Sequence, residues 1–172
     1  RSVIDWTPFL QTWQIKGRWP EIADDPTVGA QARELVDDAN RLLDRVEAEG
    51  LLECRARVGL FPAAATGPDE VTVYTDETRS EVRARLHFLR QQFARTNERA
   101  FQSLADFIAP ADSGVHDWIG GFVVTAGIGA EALARDFERQ HDDYQAIMAR
   151  AVADRLAEAL AEAMHHRVRT EF

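Results

Sequence analysis

Cysteine is almost absent from this sequence of 172 residues, which contains only Cys54. A single cysteine excludes an internal disulfide and a cage of cysteine ligands around a metal, and it favours a reduced, cytoplasmic setting. No apolar run approaches the roughly 20 residues that a membrane-spanning helix needs, and the first residues lack the order of a secretory signal. The sequence begins at Arg1 rather than at a methionine, so we expect a fragment of a longer protein.

Positive charge is also scarce, with 20 Lys and Arg against 29 Asp and Glu and a formal net charge of −9. This balance disfavours DNA and RNA as partners, because their phosphates attract a basic surface. Six arginines concentrate in the middle of the chain, and we expect them to lie on a solvated face. The alternative is a patch that docks on an acidic partner protein. The six are Arg79, Arg83, Arg85, Arg90, Arg95 and Arg99.

The chain is long enough for one compact domain with a core, and its strongest periodic pattern predicts a helix over 28–49. Thr27 is the predicted N-cap of this helix and Gly50 its terminating glycine. The tryptophan-rich opening, 1–26, is too aromatic for a loose tail, and it predicts an irregular collar with short helical turns. The apolar stripe consists of Val28, Ala32, Leu35, Val36, Ala39, Leu42, Leu43 and Val46.

The middle of the chain has the composition of strands and turns. Segment 63–69 is predicted as a turn or loop because it contains Gly67-Pro68. Segment 78–95 is ambiguous between an exposed helix and a half-buried strand, and a strand running into a short helix at 87–93 is favoured. The predicted strands are 57–61 (ending at Pro62), 70–74, 103–109 and 119–125.

From Ala130 to the end the pattern is helical, with a break predicted near Asp142-Asp143. Apolar residues recur every fourth position from Met148 to Val168, a row that drifts about 40° per step around a helix, so its buried stripe should be broad and winding. Helix, then strands, then helix predicts an α+β fold rather than a regular alternation of strands and helices.

The most metal-like group is His141, Asp142 and Asp143, with Glu138 one turn earlier. A divalent site normally takes three or four protein ligands, and no second cluster stands at a suitable spacing. Solvated charge at a helix end is therefore favoured, and a metal-dependent hydrolase is the remote alternative. The adjacent pair His165-His166 points in directions about 100° apart and does not chelate as an i, i+4 pair would. We predict neither a bound metal nor a catalytic residue.

Two further features have structural interpretations. Gly127-Ile128-Gly129 precedes a helix, but Ala132 replaces the third glycine of a dinucleotide fingerprint, so a tight strand-to-helix turn is favoured. Cys54 has no neighbouring His or Lys and is predicted to be an inert strand residue.

Short sequence motifs between Ile4 and Arg169, in the same order as in the family, resemble the activation domain of cobalamin-dependent methionine synthase. Each motif alone is weakly specific, but their common order covers essentially the whole chain. The motifs are Ile4-Asp5-Trp6-Thr7-Pro8-Phe9, Thr12-Trp13, Lys16-Gly17-Arg18, Gly59-Leu60-Phe61-Pro62, Val73-Tyr74-Thr75-Asp76-Glu77, Leu89-Arg90-Gln91-Gln92, Leu104-Ala105-Asp106-Phe107-Ile108-Ala109-Pro110, Ser113-Gly114, His141-Asp142-Asp143-Tyr144, Ile147-Met148, Ala153-Asp154-Arg155-Leu156-Ala157-Glu158-Ala159, His165 and Arg167-Val168-Arg169.

The resemblance implies an α+β fold, a twisted antiparallel sheet with flanking helices that forms part of a C-shaped activation domain. It assigns 1–172 to one domain, roughly the first half of the complete one. S-adenosylmethionine would bind there and donate a methyl group when oxidised cobalamin is returned to methylcobalamin. The implied partners are the cobalamin-binding domain of the same enzyme, and flavodoxin or a related flavin reductase. The fragment alone is not expected to turn over.

Two of the family's ligand-binding positions lie in the motifs that begin at Ile4 and at Ala153. In this sequence they correspond to Asp5 and Glu158. Carboxylates suit S-adenosylmethionine because it carries a sulfonium and an α-ammonium. Periodicity alone would make Glu158 a solvated charge and Asp5 a cap or turn residue. The sequence ends before the family's arginine- and proline-rich R-P-A-P-G-Y-P loop, so the fragment is expected to bind weakly. The alternative function is a structural or docking segment that binds no ligand by itself.

Overall fold

The computed structural model describes residues 1–93 and 100–171, and it confirms the α+β fold with a four-stranded sheet. Short 3₁₀ helices lie at Glu21–Asp24 and Leu104–Phe107. The helices are α1 (Trp6–Thr12), α2 (Gly29–Glu49), α3 (Ala130–Arg139) and α4 (Asp143–Glu171), and the strands are β1 (Glu53–Gly67), β2 (Glu70–Tyr74), β3 (Val82–His87) and β4 (Asp117–Ile128).

The chain forms two compact units. Arg1–Arg57 and Phe122–Phe172 make up the first, here called the helical unit, and Val58–Gly121 makes up the second, the sheet unit. The boundary falls within β1 and within β4. The helical unit therefore combines two segments that are distant in sequence, whereas the sheet unit is one continuous segment, and each is described below by itself.

The core of the helical unit is built on α2, as the periodicity predicts. All of the predicted stripe from Ala32 to Val46 is buried, and Val28 packs partly buried against the same cluster. Phe9 and Leu10 of α1 complete the cluster from one side, and Met148 of α4 from another. The tryptophan-rich opening packs on this core through α1 and the first 3₁₀ helix, which confirms the predicted collar.

The two ends of α2 are capped differently from each other. Gly50 adopts the left-handed conformation (φ 64°) and donates its N–H to Val46, as predicted for a terminating glycine. The prediction that Thr27 is the N-cap is wrong. Asp25 accepts the backbone N–H groups of Thr27 (2.8 Å) and Val28 (3.0 Å) instead. These two bonds favour the ionised carboxylate and lower the pKa of Asp25.

The predicted break in the last helical region is confirmed, since α3 ends at Arg139 and α4 begins at Asp143. Burial falls along α4: Met148 and Val152 are buried, whereas Leu156 and its successors in the row are half-buried. The row drifts around the helix axis, so one straight neighbour cannot cover it. Within the described residues, no helix is long and apolar enough to cross a membrane.

The sheet has the order β3-β2-β1-β4, and β2 pairs antiparallel with both β1 and β3. β2 matches its prediction, but β1 does not end at Pro62. Its alanines at 63–65 pair with β2 where a loop was predicted, and the turn is confined to Pro68 and Asp69. Pairing with β2 starts at Ala63, so the missing N–H of Pro62 removes no hydrogen bond from that ladder.

Of the four remaining predictions for the middle of the chain, two strands are confirmed, and one helix and one strand are wrong. The strand predicted over 119–125 is β4, and the strand predicted within 78–95 is β3. No helix forms over 87–93, since β3 ends at His87 and irregular structure follows. The strand predicted over 103–109 is a 3₁₀ turn. Ser103 caps it by accepting the N–H of Ala105, in a capping box with Asp106. Residues 94–99, which include two of the six arginines, lie outside the described residues.

Candidate functional site

Asp5, one of the two carboxylates predicted to bind ligand, stands at the N-terminus of α1. Its backbone is extended (φ −86°, ψ 115°), and its Oδ1 accepts the N–H of Thr7 at 2.9 Å, so it is the N-cap of this helix. The side chain is exposed. The cap uses one carboxylate oxygen, and the other remains accessible to a ligand. The structural interpretation of Asp5 as a cap is thus confirmed, and it is compatible with ligand binding.

The start of α1 is held in place by its neighbours. Thr7 Oγ1 accepts the backbone N–H of Trp19 at 3.1 Å, which ties the helix to the collar. After the end of α1, the ring of Trp13 packs against that of Tyr144 in α4, with 5.1 Å between the ring centroids. The Tyr144 hydroxyl donates to Asp38 at 2.5 Å, and burial followed by this bond raises the pKa of Tyr144. α1 is therefore fixed against both α2 and α4.

Glu158 lies midway along α4, directly before the buried Ala159, and its own side chain is exposed. In the part of the chain that the structure describes, it has no hydrogen bond and no ion pair. Asp154 and Glu162 lie one turn before and one turn after it, and both are exposed. Like charges at this spacing repel by a few tenths of a kcal/mol per pair, and since Asp154 is paired with Arg155 at 2.5 Å, the repulsion on Glu158 comes mainly from Glu162. A bound cation would relieve this repulsion.

The structure places both predicted carboxylates in the helical unit, on two helices that pack against each other. Two concavities of this unit are lined by other residues. One, of about 630 Å³, is bordered by Gln11, Gln14 and Lys16 at the opposite end of α1 from Asp5. The other, of about 200 Å³, includes Asp38 and Phe137. Convergence of Asp5 and Glu158 on one ligand remains a prediction.

The metal-like cluster predicted to be helix-end charge has that structural role. Asp142 Oδ1 accepts the N–H of Gln145 at 3.0 Å and so caps α4. His141 occupies the left-handed turn between the helices (φ 58°), and Glu138 pairs with Arg150 at 2.9 Å. Among residues 1–93 and 100–171, no group of three or more His, Cys, Asp or Glu side chains could hold a metal ion.

The predicted strand-to-helix turn between β4 and α3 is made by Gly129 alone, because Gly127 and Ile128 are the last residues of β4. Gly129 has φ 97°, and a Cβ atom built on it would lie 2.4 Å from the carbonyl oxygen of Leu51. Both its conformation and its close contact therefore require glycine. Cys54 lies in β1, which confirms its predicted strand position, and its side chain is exposed; its inertness stays a prediction.

The sheet unit contains a polar centre that was not predicted from the sequence. Arg90 binds both carboxylate oxygens of Asp106 at 2.8 Å and Asp69 at 2.9 Å, and it also donates to the carbonyls of Pro68 and Phe101. The hydrogen bonds from Arg90, followed by the N–H of Ser103, lower the pKa of Asp106 to about 2. The S-x-x-D pattern of a capping box was the available signal in the sequence.

The predicted arginine patch divides into two kinds of side chain. Arg79 donates to the carbonyls of Ala63 (2.9 Å) and Asp117 (2.7 Å) and so joins two segments of the sheet unit. Arg83 lies over the ring of Phe61, and Arg85 approaches Glu70 at 4.0 Å; both belong to the exposed strand β3. The structure thus gives Arg79 and Arg90 structural roles and leaves Arg83 and Arg85 on a solvated face.

Comparison with known proteins shows a family and a solved relative that this chain resembles. The sequence model of the family described as "Vitamin B12 dependent methionine synthase, activation domain" matches residues 1–172. A crystal structure of the MetH reactivation domain bound to AdoHcy superimposes with a TM-score of 0.88 at 50% sequence identity. The alignment covers 99% of this chain and 52% of that one, so the chain spans about half the length of this relative.

Proposed function

This chain belongs to the activation-domain family of vitamin B12 dependent methionine synthases, and from that premise we propose that it contributes to a binding site for S-adenosylmethionine. The observation that carries the proposal is the solved relative, which is 50% identical over 99% of this chain and is bound to AdoHcy. AdoHcy is S-adenosylmethionine without its transferred methyl group. A site that holds the product of methyl transfer is suited to hold the donor as well.

Asp5 and Glu158 are the proposed ligand-binding residues. S-adenosylmethionine carries positive charge at its sulfonium and its α-ammonium, and exposed carboxylates stabilise such charge by attraction and by accepting hydrogen bonds. Asp5 has an accessible oxygen on a helix end fixed by the collar. Glu158 has no ion-pair partner among the described residues, and it lies in a row of acidic side chains.

Within a longer enzyme, the proposed reaction is the return of cobalamin to its methylated form. Cob(II)alamin would take up one electron from an external reductant and form a bond to the methyl carbon of the bound S-adenosylmethionine. The carbon–sulfur bond would break with both of its electrons left on sulfur, so that S-adenosylhomocysteine remains. We propose flavodoxin or a related flavin reductase as the electron source, and the cobalamin-binding domain of the same enzyme as the docking partner. The chain's own contribution is binding and orientation, so the chain alone should show no methyltransferase turnover.

The central test replaces Glu158 with Gln in a protein that contains this chain together with the remainder of the domain. A carboxylate hydrogen-bonded to a cationic ligand contributes about 1.5–3 kcal/mol, so affinity for S-adenosylmethionine should fall roughly 10- to 150-fold. Titration calorimetry measures the affinity. Folding should be nearly unchanged, because Gln keeps the shape and the helix propensity of Glu.

The matched control is Glu162→Gln, a position one turn further along α4 that is also exposed. It removes the same charge from the same row, so equal losses for both variants would show a general electrostatic effect rather than a contact. Asp5→Asn tests the second carboxylate, because Asn caps a helix about as well as Asp and the fold is retained. If Glu158→Gln left the affinity unchanged, this glutamate would be an ordinary surface charge.

A structural or docking segment is the second candidate function, and the exposure of both Asp5 and Glu158, which is typical of ordinary surface charges, favours it. The 172-residue chain by itself is expected to bind S-adenosylmethionine weakly or not measurably by calorimetry. Affinity equal to that of a complete domain would contradict this candidate and would show that the remainder of the domain contributes no contact.

A further inference from the structure

Thr7 follows Asp5 by two residues and forms hydrogen bonds in two directions. Its backbone N–H donates to Asp5 Oδ1 at 2.9 Å, and its Oγ1 accepts the backbone N–H of Trp19 at 3.1 Å. The first bond restricts the rotation of the Asp5 side chain, because one carboxylate oxygen is held at the helix end. The second bond holds the residue that donates the first one. Thr7 is half-buried, whereas Asp5 is exposed.

The Trp19 end of this link belongs to a packed turn of the collar. Ile22 is 8% exposed, and its side chain lies directly on the backbone of Gly17, where a Cβ atom would be 2.4 Å from Ile22 Cδ1. Trp19 itself packs partly buried against the core of the helical unit. The N–H of Trp19 is therefore anchored on that core, and through Thr7 it connects the core to Asp5.

The backbone of Asp5 is restrained on both sides by its neighbours. Ile4 and Trp6 pack partly buried against the same core, and the Trp6 ring meets the Phe9 ring edge-on with 5.2 Å between the centroids. Among residues 1–93 and 100–171, no hydrogen bond other than the one from Thr7 and no ion pair restrains the Asp5 carboxylate. The position of the carboxylate therefore depends on Thr7 alone within this part of the chain.

We propose that Thr7 is a positioning residue for Asp5, an inference that rests on the proposed ligand-binding role of this carboxylate. A mobile side chain loses rotational freedom when it binds a ligand, and this loss lowers the affinity. The Thr7 N–H removes much of that freedom in advance and leaves the second carboxylate oxygen to accept from a cationic group of S-adenosylmethionine. The Thr7 hydroxyl acts through Trp19, because that hydrogen bond keeps the donating N–H in place.

The test measures affinity for S-adenosylmethionine by titration calorimetry in a protein that contains this chain together with the remainder of the domain. Thr7→Val removes the acceptor of the Trp19 N–H, so affinity should fall about two- to tenfold, the range for ordering one side chain. Thr7→Ser keeps the acceptor oxygen and should restore the affinity. Thr12→Val is the matched control. It removes a hydroxyl of the same helix that bonds only to the carbonyl of Pro8, and it should leave the affinity unchanged.

A double-mutant cycle separates positioning from a general loss of structure. Asp5→Gly removes the carboxylate and retains the helix, because glycine is also accepted at an N-cap. In the Asp5→Gly background Thr7→Val should have no further effect on affinity, since no carboxylate is left to position. Hydrogen exchange at the Trp19 amide should become faster with Thr7→Val in both backgrounds, which checks that the same hydrogen bond has been removed.

Unchanged affinity in Thr7→Val would overturn the positioning role, and so would an equal fall with and without the Asp5 carboxylate. A fall of the same size in Thr12→Val would also overturn it. Asp5→Gly by itself tests the proposed function separately. If that variant kept full affinity, Asp5 would not bind the ligand and both assignments would be wrong. If it weakened binding while Thr7→Val did not, only the positioning role would be wrong. Thermal melts check that each variant folds.

Discussion

The helical unit and the sheet unit are each stabilised by a different kind of interaction. In the helical unit one cluster contains large side chains from four helices, among them Phe9, Leu43, Phe137 and Met148. Among the described residues of the sheet unit, the fully buried members of the corresponding cluster are Ala63, Val71 and Ala105, and they are small. Since burial contributes roughly 25 cal/mol per Å² of apolar surface, the helical unit gains far more from it.

Ion pairs occur in both units, for example between Arg150 and Glu131 in the helical unit, but beside so small an apolar cluster polar contacts take a larger share in the sheet unit. Arg90 connects Asp69, Asp106 and two backbone carbonyls, and Arg79 connects two further carbonyls. Exposed ion pairs contribute only about 0–1 kcal/mol each and depend on salt and pH. Substitutions of buried apolar residues should therefore lower the free energy of unfolding most in the helical unit. Changes of salt and pH should have their larger relative effect on the stability of the sheet unit.

Leu42→Ala should give the largest effect. Leu42 is 5% exposed and lies in the middle of the α2 stripe, so removing its side chain leaves a cavity and should lower the free energy of unfolding by about 2–5 kcal/mol. A denaturant melt measures the change.

The matched substitution in the sheet unit is Leu60→Ala, at a position that is 46% exposed. Less apolar surface is lost there and no cavity forms, so the free energy of unfolding should fall by under about 1 kcal/mol. Equal losses at the two positions would show that the units do not differ as described.

Gly129→Ala should have the next largest effect, and it tests the helical unit where backbone conformation rather than burial decides. A non-glycine residue at φ 97° is strained, and the new Cβ would meet the Leu51 carbonyl at 2.4 Å. We expect a loss of about 1–3 kcal/mol in the free energy of unfolding. Gly50→Ala is the control, since its φ is also positive but no heavy atom lies within 4 Å of its Cβ position. A larger loss at Gly50 would contradict the importance of the close contact.

The helical unit was largely predictable because its signals are local. The α2 stripe follows from spacing within one segment, and so do the break before α4 and the glycine at 50. The sheet unit was predictable only in part. The alanines at 63–65 have low intrinsic preference for strands, and cross-strand pairing with β2 decides their conformation. Segment 103–109 resembles a strand in composition, but its capping box forms a 3₁₀ turn.

The candidate site was less predictable than the fold. Asp5 is a helix cap and Glu158 an exposed charge, and neither has a burial or spacing that distinguishes it from a surface residue. Their assignment to a ligand depends on resemblance to the family. Arg90 shows the reverse case, because its contacts join residues from 68 to 106 that no local pattern connects.

The smallest expected effect concerns pH and the Arg90–Asp106 contact. The folded pKa of Asp106 lies at about 2, below its ordinary value of 3.8. The stabilisation is therefore fully present above pH 4 and is lost as the pH falls through about 2. Asp106→Asn removes this titration while its amide oxygen can still complete the capping box.

At pH 5 the variant should melt slightly below the unsubstituted chain, by a gap that salt reduces, because the contact is exposed. At pH 2 or just below, the gap between the two melting temperatures should close, since the wild-type carboxyl is then protonated as well. Hydrogen exchange at Ser103 and Ala105 should report the same change locally, because the capping box holds these amides. A melting gap of the same size at both pH values would mean that the charge of Asp106 does not stabilise the sheet unit, and the contrast with the helical unit would then depend on apolar burial alone.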